Sequence, residues 1–265
     1  MTRSRPIAAL CLALFAGCAG SPSPQVAPAA VRLVCWNVHH GRGLDNRVDP
    51  DRIAAELRSL EVDLVCLQEV DVGVARSGGI DLPAELAARL GFHAAFGKNI
   101  DYQGGDYGNA VLSRWPIELA HNHHYRMLRA NEQRGLLQVR VTAGGRVLWV
   151  MSTHLDYRPD DAERLSNASE ILQRCSELRG APVIVAGDFN DLPGSPVHQA
   201  LCATRIDAFA VVGTGTGASY PAATPTKRID WVLLGNDGSI TAIAAKVVDS
   251  TASDHRPVVV DLLLR

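Results

Sequence analysis

Two apolar runs separated by one amphipathic segment restrict the fold more than any other feature of the sequence. Residues 32–38 (RLVCWNV) and 63–67 (DLVCL) have the length and composition of buried strands. Between them, Asp49 and Pro50 place a capping residue and a proline at the start of a helix. The apolar residues of that helix share one face: Ile53, Leu57 and Leu60. This strand–helix–strand order predicts a βαβ unit with a parallel pair of strands.

The rest of the chain keeps alternating between helical and strand-like segments, which indicates an α/β domain. Helices are predicted near residues 82–90, 160–179 and 196–202, and strands near 92–96, 109–113, 135–142, 146–153, 183–186, 228–234, 240–248 and 256–264. The predicted core face of the longest helix consists of Leu165, Ala168, Ile171, Leu172, Cys175 and Leu178. We expect Gly180 to end that helix and residues 213–226 to form a surface loop.

The N-terminal segment has the layout of an export signal. Arg3 and Arg5 precede an apolar stretch that is too short to span a bilayer as a mature helix. Residues 14–18 (LFAGC) resemble the lipobox of bacterial lipoproteins, so we expect residues 1–17 to be removed as a signal peptide and Cys18 to be lipidated. The alternative is cleavage as an ordinary secretory signal, and the chain is exported in either case.

A linker and one large domain are predicted after the signal. Residues 18–30 are rich in Ala, Pro and Ser and carry no charge, which is typical of an extended tether. The domain then spans residues 31–265. By analogy with lipoprotein sorting, Ala19 favours an outer-membrane lipoprotein that faces the periplasm or the cell surface, attached to the membrane through its N-terminal lipid.

Charge and aromatic content count against a dedicated nucleic-acid binder. Without residues 1–17 the chain keeps 24 basic and 28 acidic side chains, a net charge of −4 with the histidines neutral. Nucleic-acid-binding domains usually carry a basic face. Aromatic residues, on which bases stack, make up 5% of the chain. Nucleic acid is therefore a less favoured partner than a small phosphoester. Separately, we expect the protein to be a monomer.

The cysteines outside the signal and its lipidation site lie in apolar runs and have no zinc-ligand spacing. They are Cys35, Cys66, Cys175 and Cys202. We expect buried thiols, although export would permit a disulfide.

Six predicted strands each carry a polar side chain at one end. These side chains are Asn37, Glu69, His154, Asp188 with Asn190, Asp230, and Asp254 with His255. One such residue would be typical of a turn, but in α/β folds ligands bind where strands end. Carboxylates gathered there repel one another unless they hold a cation or share protons. Carboxylate and amide oxygens suit Mg²⁺ or Mn²⁺ better than zinc, so we expect one of these ions as cofactor.

The motifs around these residues resemble those of the endonuclease/exonuclease/phosphatase superfamily, which includes DNase I-like nucleases, sphingomyelinases and inositol-polyphosphate phosphatases. In chain order they read CWNVHHG, LQEV, YGNAVLS, STHLD, GDFND, RIDWV and SDHRP, over residues 31–265. The resemblance implies a four-layer α/β sandwich, in which two mixed β-sheets pack face to face with helices on the outside. The local patterns are compatible with this fold but do not by themselves indicate four layers.

The resemblance also implies roles for the strand-end residues. His255 would be the general base that takes a proton from the attacking water, and Asp230 would fix its tautomer. Glu69 would be the principal metal ligand, with Asn37 and Asp254 beside it.

Four further residues receive roles in the same way. Asp188 and Asn190 match the pair that orients the nucleophile and the phosphate, and Asp188 would protonate the leaving oxygen. His154 matches a residue that stabilises the pentacovalent transition state. Asn109, grouped with the substrate-binding residues, would orient His154; the alternative is a strand-edge amide.

The predicted substrate contacts lie in less specific loops. Arg76 and Lys98 are candidates for binding a substrate phosphate, and Arg134 for lining the same pocket; the alternative for each is a solvated charge. The style of these loops is similar to that of exported bacterial members of the superfamily. This similarity favours a phospholipid headgroup or a small phosphoester as the substrate.

Three functions remain open from the sequence. The first is a divalent-metal-dependent phosphoesterase of the cell envelope that cleaves a phosphodiester or phosphomonoester by in-line water attack. The second is a secreted or surface endonuclease acting on DNA or RNA. The third is a lipoprotein that uses the same scaffold to bind a partner without catalysis, which the intact set of catalytic side chains counts against.

Overall fold

A computed structural model describes Met1, residues 28–178 and residues 180–265. The predicted signal peptide, the lipidation site Cys18 and most of the predicted linker lie outside the described residues. The first strand begins at Ala29, two residues before the predicted start of the domain.

The strands are β1 (Ala29–Asn37), β2 (Leu64–Val72), β3 (His93–Tyr102), β4 (Gly105–Ser113), β5 (Ile117–His124), β6 (Gly135–Ala143), β7 (Arg146–His154), β8 (Val183–Asp188), β9 (Arg205–Asp207), β10 (Asp230–Gly235), β11 (Ile240–Val247) and β12 (Val258–Leu264). The helices are α1 (Pro50–Ser59), α2 (Leu82–Leu90), α3 (Ala162–Glu177), α4 (Pro196–Cys202) and α5 (Ala208–Val212).

The predicted βαβ unit is confirmed. β1 and β2 are parallel, with Leu33 opposite Leu64, and α1 connects them. Helix α1 begins at Pro50 because the side chain of Asp49 accepts a hydrogen bond from the backbone N–H of Arg52. A second unit of the same kind consists of β7, α3 and β8, whose strands are also parallel.

Two mixed six-stranded sheets form the body of the protein. One has the strand order β11-β12-β1-β2-β4-β3 and the other β5-β6-β7-β8-β10-β9. Buried side chains from both sheets, such as Leu33, Val111, Val139 and Val232, share one apolar cluster between them. This architecture confirms the α/β sandwich that the resemblance implied.

The helices cover the outer faces of the two sheets. One outer cluster joins Ile53 and Leu57 of α1 and Leu86 of α2 to the first sheet. The other joins Ile171 of α3 and Leu201 of α4 to the second sheet. Two helical layers therefore enclose two sheets, and most of the apolar burial that stabilises the fold lies in these three interlayer clusters.

Several local predictions need correction. Leu165 was predicted on the core face of α3, but it is exposed because that face is centred on Asn167, Ala168 and Ile171. Strands β5 and β9 and helix α5 were not predicted. Strand β5 is an edge strand whose side chains are mostly exposed, so it lacks the apolar alternation that marks a half-buried strand.

The cysteines of the described residues are free thiols. Cys35, Cys66 and Cys175 are buried free thiols as predicted, and Cys202 is free and half-buried. Within the same part of the chain, none of the helices is both long and apolar enough to cross a bilayer.

The parallel strands bring the predicted site residues to one edge of the sandwich. β1 and β2 end side by side in one sheet, and β7 and β8 end side by side in the other. Near this edge Gln68 of the first sheet donates a hydrogen bond to the Ser152 hydroxyl of the second at 3.1 Å. The two sets of strand ends therefore face each other across a short, hydrogen-bonded gap.

Candidate active site

Strand register places Asp188 at the centre of the site. Asp188 lies opposite His154 in the β7–β8 pair and opposite Asp230 in the β8–β10 pair. Its Oδ2 lies 3.5 Å from His154 Nε2 and 3.7 Å from His255 Nε2. Its Oδ1 accepts a hydrogen bond from the backbone N–H of Asn190 at 2.9 Å. One carboxylate thus contacts both imidazoles of the site.

Asn37 links Asp188 to Glu69 across the two sheets. The Asn37 Nδ2 donates to Glu69 Oε1 and to Asp188 Oδ2, both at 3.0 Å. The Asn37 Oδ1 accepts from the backbone N–H of His39 at 3.1 Å. The Asn37 amide nitrogen therefore bridges the two carboxylates. To bind a cation near Glu69, the Asn37 amide would have to rotate so that its oxygen takes the place of its nitrogen.

A β-bulge positions Glu69. In the β2–β4 pair Leu67 faces Ala110 and Val70 faces Gly108, so Gln68 and Glu69 together oppose one residue. Glu69 has a φ of 56°, which a non-glycine residue rarely adopts. Bulges re-aim side chains next to functional sites. This one directs Glu69 to the cleft while Gln68 remains buried between the sheets.

His255 is held on three sides. Its Nδ1 lies 2.9 Å from Asp230 Oδ2, which also accepts a short hydrogen bond from the Ser219 hydroxyl. Its backbone carbonyl accepts from the indole N–H of Trp36 at 2.9 Å. The ring of Tyr220 packs against the imidazole at a centroid distance of 4.6 Å. The imidazole therefore has a fixed orientation, with Nε2 toward Asp188.

Burial and mutual charge set the protonation of this cluster. Burial, together with the charge of Asp230, raises the pKa of Asp188 to about 7, against the lowering effect of His255. Burial would lower the pKa of His255, but the carboxylates of Asp230 and Asp188 outweigh it and raise this pKa to about 10. Without a cation, the His255 imidazole is thus protonated at neutral pH and paired with its carboxylate neighbours.

His154 has the opposite surroundings. It is buried, and burial followed by the charge of Arg134 holds its pKa well below the usual range. Arg134 Nη1 lies 3.0 Å from His154 Nδ1, and Asn190 Nδ2 lies 3.0 Å from His154 Nε2. His154 is therefore neutral at neutral pH, whereas His255 is charged.

The chemistry of the donor set fits a divalent cation beside Glu69. Donor atoms of His39, His40 and Glu69 lie within 4.8 Å of one another, and His39 Nδ1 lies 3.6 Å from Asp254 Oδ1. The buried Nδ1 of His40 has no hydrogen-bond partner, and burial lowers the pKa of His40 to about 3. The carboxylates of Glu69 and Asp254, with the imidazole of His39 near both, suit Mg²⁺ or Mn²⁺. Of these two ions, an imidazole ligand favours Mn²⁺. The sequence did not point to His39 or His40.

A cleft of about 650 Å³ opens over these residues. Predicted residues that line it are Glu69, Arg134, His154, Asp188, Asn190, Asp254 and His255. Lining residues that sequence reasoning missed are Tyr107, Glu132, Arg158, Arg164, Tyr220 and Lys227, among others. Most of these lie outside the matched motifs, so only the folded chain brings them to the site.

Two predicted phosphate contacts, Arg76 and Lys98, do not line this cleft. Arg76 makes a two-bonded ion pair with the buried Asp71 and lies over the rings of Tyr102 and Tyr107. Lys98 pairs with Asp101 and Asp106. Both cations have carboxylate partners outside the cleft, and their contact with a substrate phosphate stays a prediction.

Asn109 has a backbone partner instead of His154. Its Nδ2 donates to the carbonyl of Gly135 at 3.1 Å, and Thr153 Oγ1 donates to the same carbonyl. Asn109 therefore fixes the start of β6 beside the end of β7. The guanidinium of Arg134, and not the amide of Asn109, contacts His154 at Nδ1.

Comparison with known sequences assigns the chain to a protein family. Residues 34–255 match the sequence model of the Endonuclease/Exonuclease/phosphatase family. An uncharacterised protein of Escherichia coli (strain K12), YbhP, is 30% identical over 254 residues, which cover 91% of this chain and 99% of that protein.

Solved structures with the same fold include enzymes named for phosphoester chemistry. An endonuclease/exonuclease/phosphatase from Beutenbergia cavernae has a TM-score of 0.73 at 26% identity, over 89% of this chain and 72% of that one. The mannosyl-6-phosphatase Bt3783 of Bacteroides thetaiotaomicron has a TM-score of 0.73 at 16% identity, over 88% and 99%. The catalytic domain of human Nocturnin with bound sulfate has a TM-score of 0.72 at 18% identity, over 89% and 95%. The last two likenesses concern the fold alone.

Proposed function

The chain belongs to the endonuclease/exonuclease/phosphatase family, and we propose that it is a divalent-metal-dependent phosphoesterase that cleaves its substrate by in-line water attack. The observation that carries this proposal is the chain of contacts Asp230–His255–Asp188–Asn37–Glu69 at one edge of the sandwich. It joins an oriented imidazole, a carboxylate of raised pKa and a candidate cation ligand within one cleft.

His255 activates the water. With Nδ1–H donating to Asp230, Nε2 is the nitrogen that can accept a proton from a water molecule. Asp230 stabilises the imidazolium that results and keeps the ring in place. General-base catalysis of this kind contributes about 10²–10⁴-fold, or about 3–5 kcal/mol of barrier. A divalent cation bound at Glu69 would neutralise carboxylate charge, lower the pKa of His255 and stabilise the phosphoryl oxygens.

Asp188 lies beside His255, with its Oδ2 3.7 Å from His255 Nε2. Its raised pKa allows Asp188 to carry a proton near neutral pH, so it can protonate a leaving oxygen. Asn190 follows Asp188 with a φ of 51° and lies beside His154 at the cleft. Asn190 therefore has its amide in position to orient the phosphoryl group.

We propose a small phosphoester or a phospholipid headgroup of the cell envelope as substrate. Lys227 lines the cleft with its ammonium over the Tyr220 ring and suits an anionic group. A cleft of about 650 Å³ has the size of a small-molecule site. The mature chain is acidic overall, which does not suit a long nucleic-acid track. The predicted lipid on Cys18 would keep the enzyme at the membrane that contains such lipids.

A substrate panel tests this proposal. We would measure hydrolysis of p-nitrophenyl phosphate, phospholipid vesicles, inositol phosphates and duplex DNA, each with Mg²⁺, Mn²⁺ or EDTA. The proposal predicts metal-dependent release from a lipid or small ester and weak, strongly salt-sensitive action on DNA. Preferential DNA cleavage at moderate salt would contradict the proposed substrate class. Silence across the whole panel, in folded and metal-loaded protein, would favour the binding lipoprotein.

A further inference from the structure

The two imidazoles of the cleft have partners of opposite charge at the same ring nitrogen. His255 Nδ1 faces the carboxylate of Asp230 at 2.9 Å, and His154 Nδ1 faces the guanidinium of Arg134 at 3.0 Å. A carboxylate can only accept the proton of the ring nitrogen, whereas a guanidinium can only donate to it. Nδ1 of His255 is therefore a hydrogen-bond donor, whereas Nδ1 of His154 is an acceptor.

The partners of His154 compete for its ring nitrogens. Arg134 Nη1 and Asn190 Nδ2 both face the ring as donors, yet a neutral imidazole has only one accepting nitrogen. The charge-assisted bond from arginine is about twice as strong as a neutral one. The Asn190 amide keeps its bond to the carbonyl of Leu155 at 3.1 Å whichever ring nitrogen carries the proton, so it loses only its contact with the ring. Arg134 therefore takes the lone pair on Nδ1, and the proton lies on Nε2, where Asp188 Oδ2 is 3.5 Å away.

The burial of Arg134 makes this arrangement rigid. Its side chain is 5% exposed, and the nitrogen that contacts the ring, Nη1, also lies 2.8 Å from Glu132 Oε1. Arginine does not lose its proton in proteins, so its polarity does not change with pH. Arg134, Asp188 and His255 are the charged neighbours of the His154 ring, and among the described residues no carboxylate pairs with its Nδ1.

We propose that Arg134 is a positioning residue that fixes His154 as a neutral imidazole with its proton on Nε2, so that His154 donates a hydrogen bond to a phosphoryl oxygen and does not act as a base. This inference rests on the proposed function for its role in the reaction. It assigns the two histidines different tasks: His255 exchanges a proton with water, and His154 binds developing negative charge. Arg134 then acts through His154 and not as a direct substrate contact.

Nitrogen NMR of the histidine rings tests the inference without any substrate. In the purified protein labelled with ¹⁵N, we expect His154 to show a protonated Nε2 and an unprotonated Nδ1 from about pH 6 to pH 9. Arg134→Met removes the donor, and we expect the proton to move to Nδ1 or to exchange between both nitrogens. Arg134→Gln keeps an N–H donor and should restore the Nε2–H form at least partly. Arg140→Met is the matched control, because Arg140 lies on β6 and pairs with Glu118 away from the cleft.

Kinetics separate a positioning role from substrate binding. If Arg134 acts through His154, Arg134→Met should lower kcat by about 10²-fold with little change in KM, as expected for the loss of one transition-state donor. A raised KM with an unchanged kcat would instead make Arg134 a substrate contact. A protonated Nδ1 in the wild-type protein, or an unchanged tautomer in Arg134→Met, would overturn the inference. Because the NMR result needs no turnover, its failure is distinguishable from a failure of the proposed function.

Discussion

At the scale of single residues, the same side-chain type has different chemistry according to its neighbours. His255 lies between carboxylates and has a raised pKa, whereas His154 lies beside a guanidinium and has a lowered one. The strand-end residues could be predicted from sequence because each belongs to a short motif. The Arg134–His154 contact could not, since 20 residues without a periodic signal separate the two. The ion pairs that occupy Arg76 and Lys98 were equally invisible, because a sequence does not give the partner of a loop cation.

The raised pKa values of Asp188 and His255 predict how stability depends on pH in the metal-free protein. In both cases the folded-state pKa exceeds the unfolded one, so the native protein binds more protons and loses stability as pH rises. The loss runs from about pH 4 to about pH 7 for Asp188 and from about pH 6.5 to about pH 10 for His255. We expect the free energy of unfolding, measured with urea in EDTA, to fall by at least about 1 kcal/mol between pH 6 and pH 9.

Asp230→Asn is the matching variant for this pH dependence. It removes the neighbour that contributes most to raising the pKa of His255, so the loss of stability above about pH 6.5 should become smaller. Stability that rises with pH in the metal-free wild type, over the same range, would be inconsistent with the protonated His255–Asp188 pair.

At the scale of helices and strands, the helices whose first turn carries a capping residue and a proline were predicted best. Helices α2 and α4 have the predicted bounds because Asp81 and Ser195 cap them and a proline follows each cap. Strand β5 was missed because an exposed edge strand has no buried face to impose a pattern. The bulge at Glu69 was also missed, because an extra residue in one strand is defined only relative to its partner.

The close contact of β7 and β8 predicts the effect of a single methyl group. A Cβ at Gly187 would lie 2.1 Å from the backbone oxygen of Thr153, so the two strands would have to separate beside His154 and Asp188. We expect Gly187→Ala to lower stability by about 1–3 kcal/mol and activity by about 10²-fold, since a displacement of about 1 Å at a site has such an effect. Urea unfolding and steady-state kinetics measure both.

Gly235→Ala is the control for this prediction. Gly235 ends β10 away from the cleft, and a Cβ there would meet its nearest neighbour, Asp237 Oδ1, at 3.4 Å. We expect a change in stability within about 0.5 kcal/mol and unchanged activity. Equal effects of the two substitutions would show that strand contact at Gly187 does not position the site.

At the scale of the whole molecule, the layer order depends on packing that no local pattern contains. Apolar runs identified the strands, but which faces of two sheets meet is decided by the shared cluster that joins Leu33, Val111, Val139 and Val232. The resemblance supplied the four layers, and the apolar clusters explain them. The site follows from this arrangement, because the ends of β1 and β2 in one sheet meet those of β7 and β8 in the other only when the sheets are stacked.

Attachment to the membrane is a prediction about the whole protein that rests on Cys18. If the segment LFAGC directs lipidation, Cys18→Ser should move the protein from the membrane fraction to the soluble exported fraction, with unchanged activity per molecule. Fractionation of cells that express each form measures this, and Cys202→Ser is the control. A wild-type protein found entirely in the soluble fraction would favour the ordinary secretory signal.

The central claim is that His255 activates water for phosphoester hydrolysis. The most direct measurement compares the hydrolysis of bis-p-nitrophenyl phosphate by the wild type, His255→Ala and His198→Ala, with Mg²⁺, Mn²⁺ or EDTA. His198 is a matched control, because it contacts Asp207 at 3.0 Å but does not line the cleft. We predict metal-dependent turnover that falls by about 10²–10⁴-fold in His255→Ala and stays unchanged in His198→Ala. Turnover that persists in folded His255→Ala, or in EDTA, would contradict the claim.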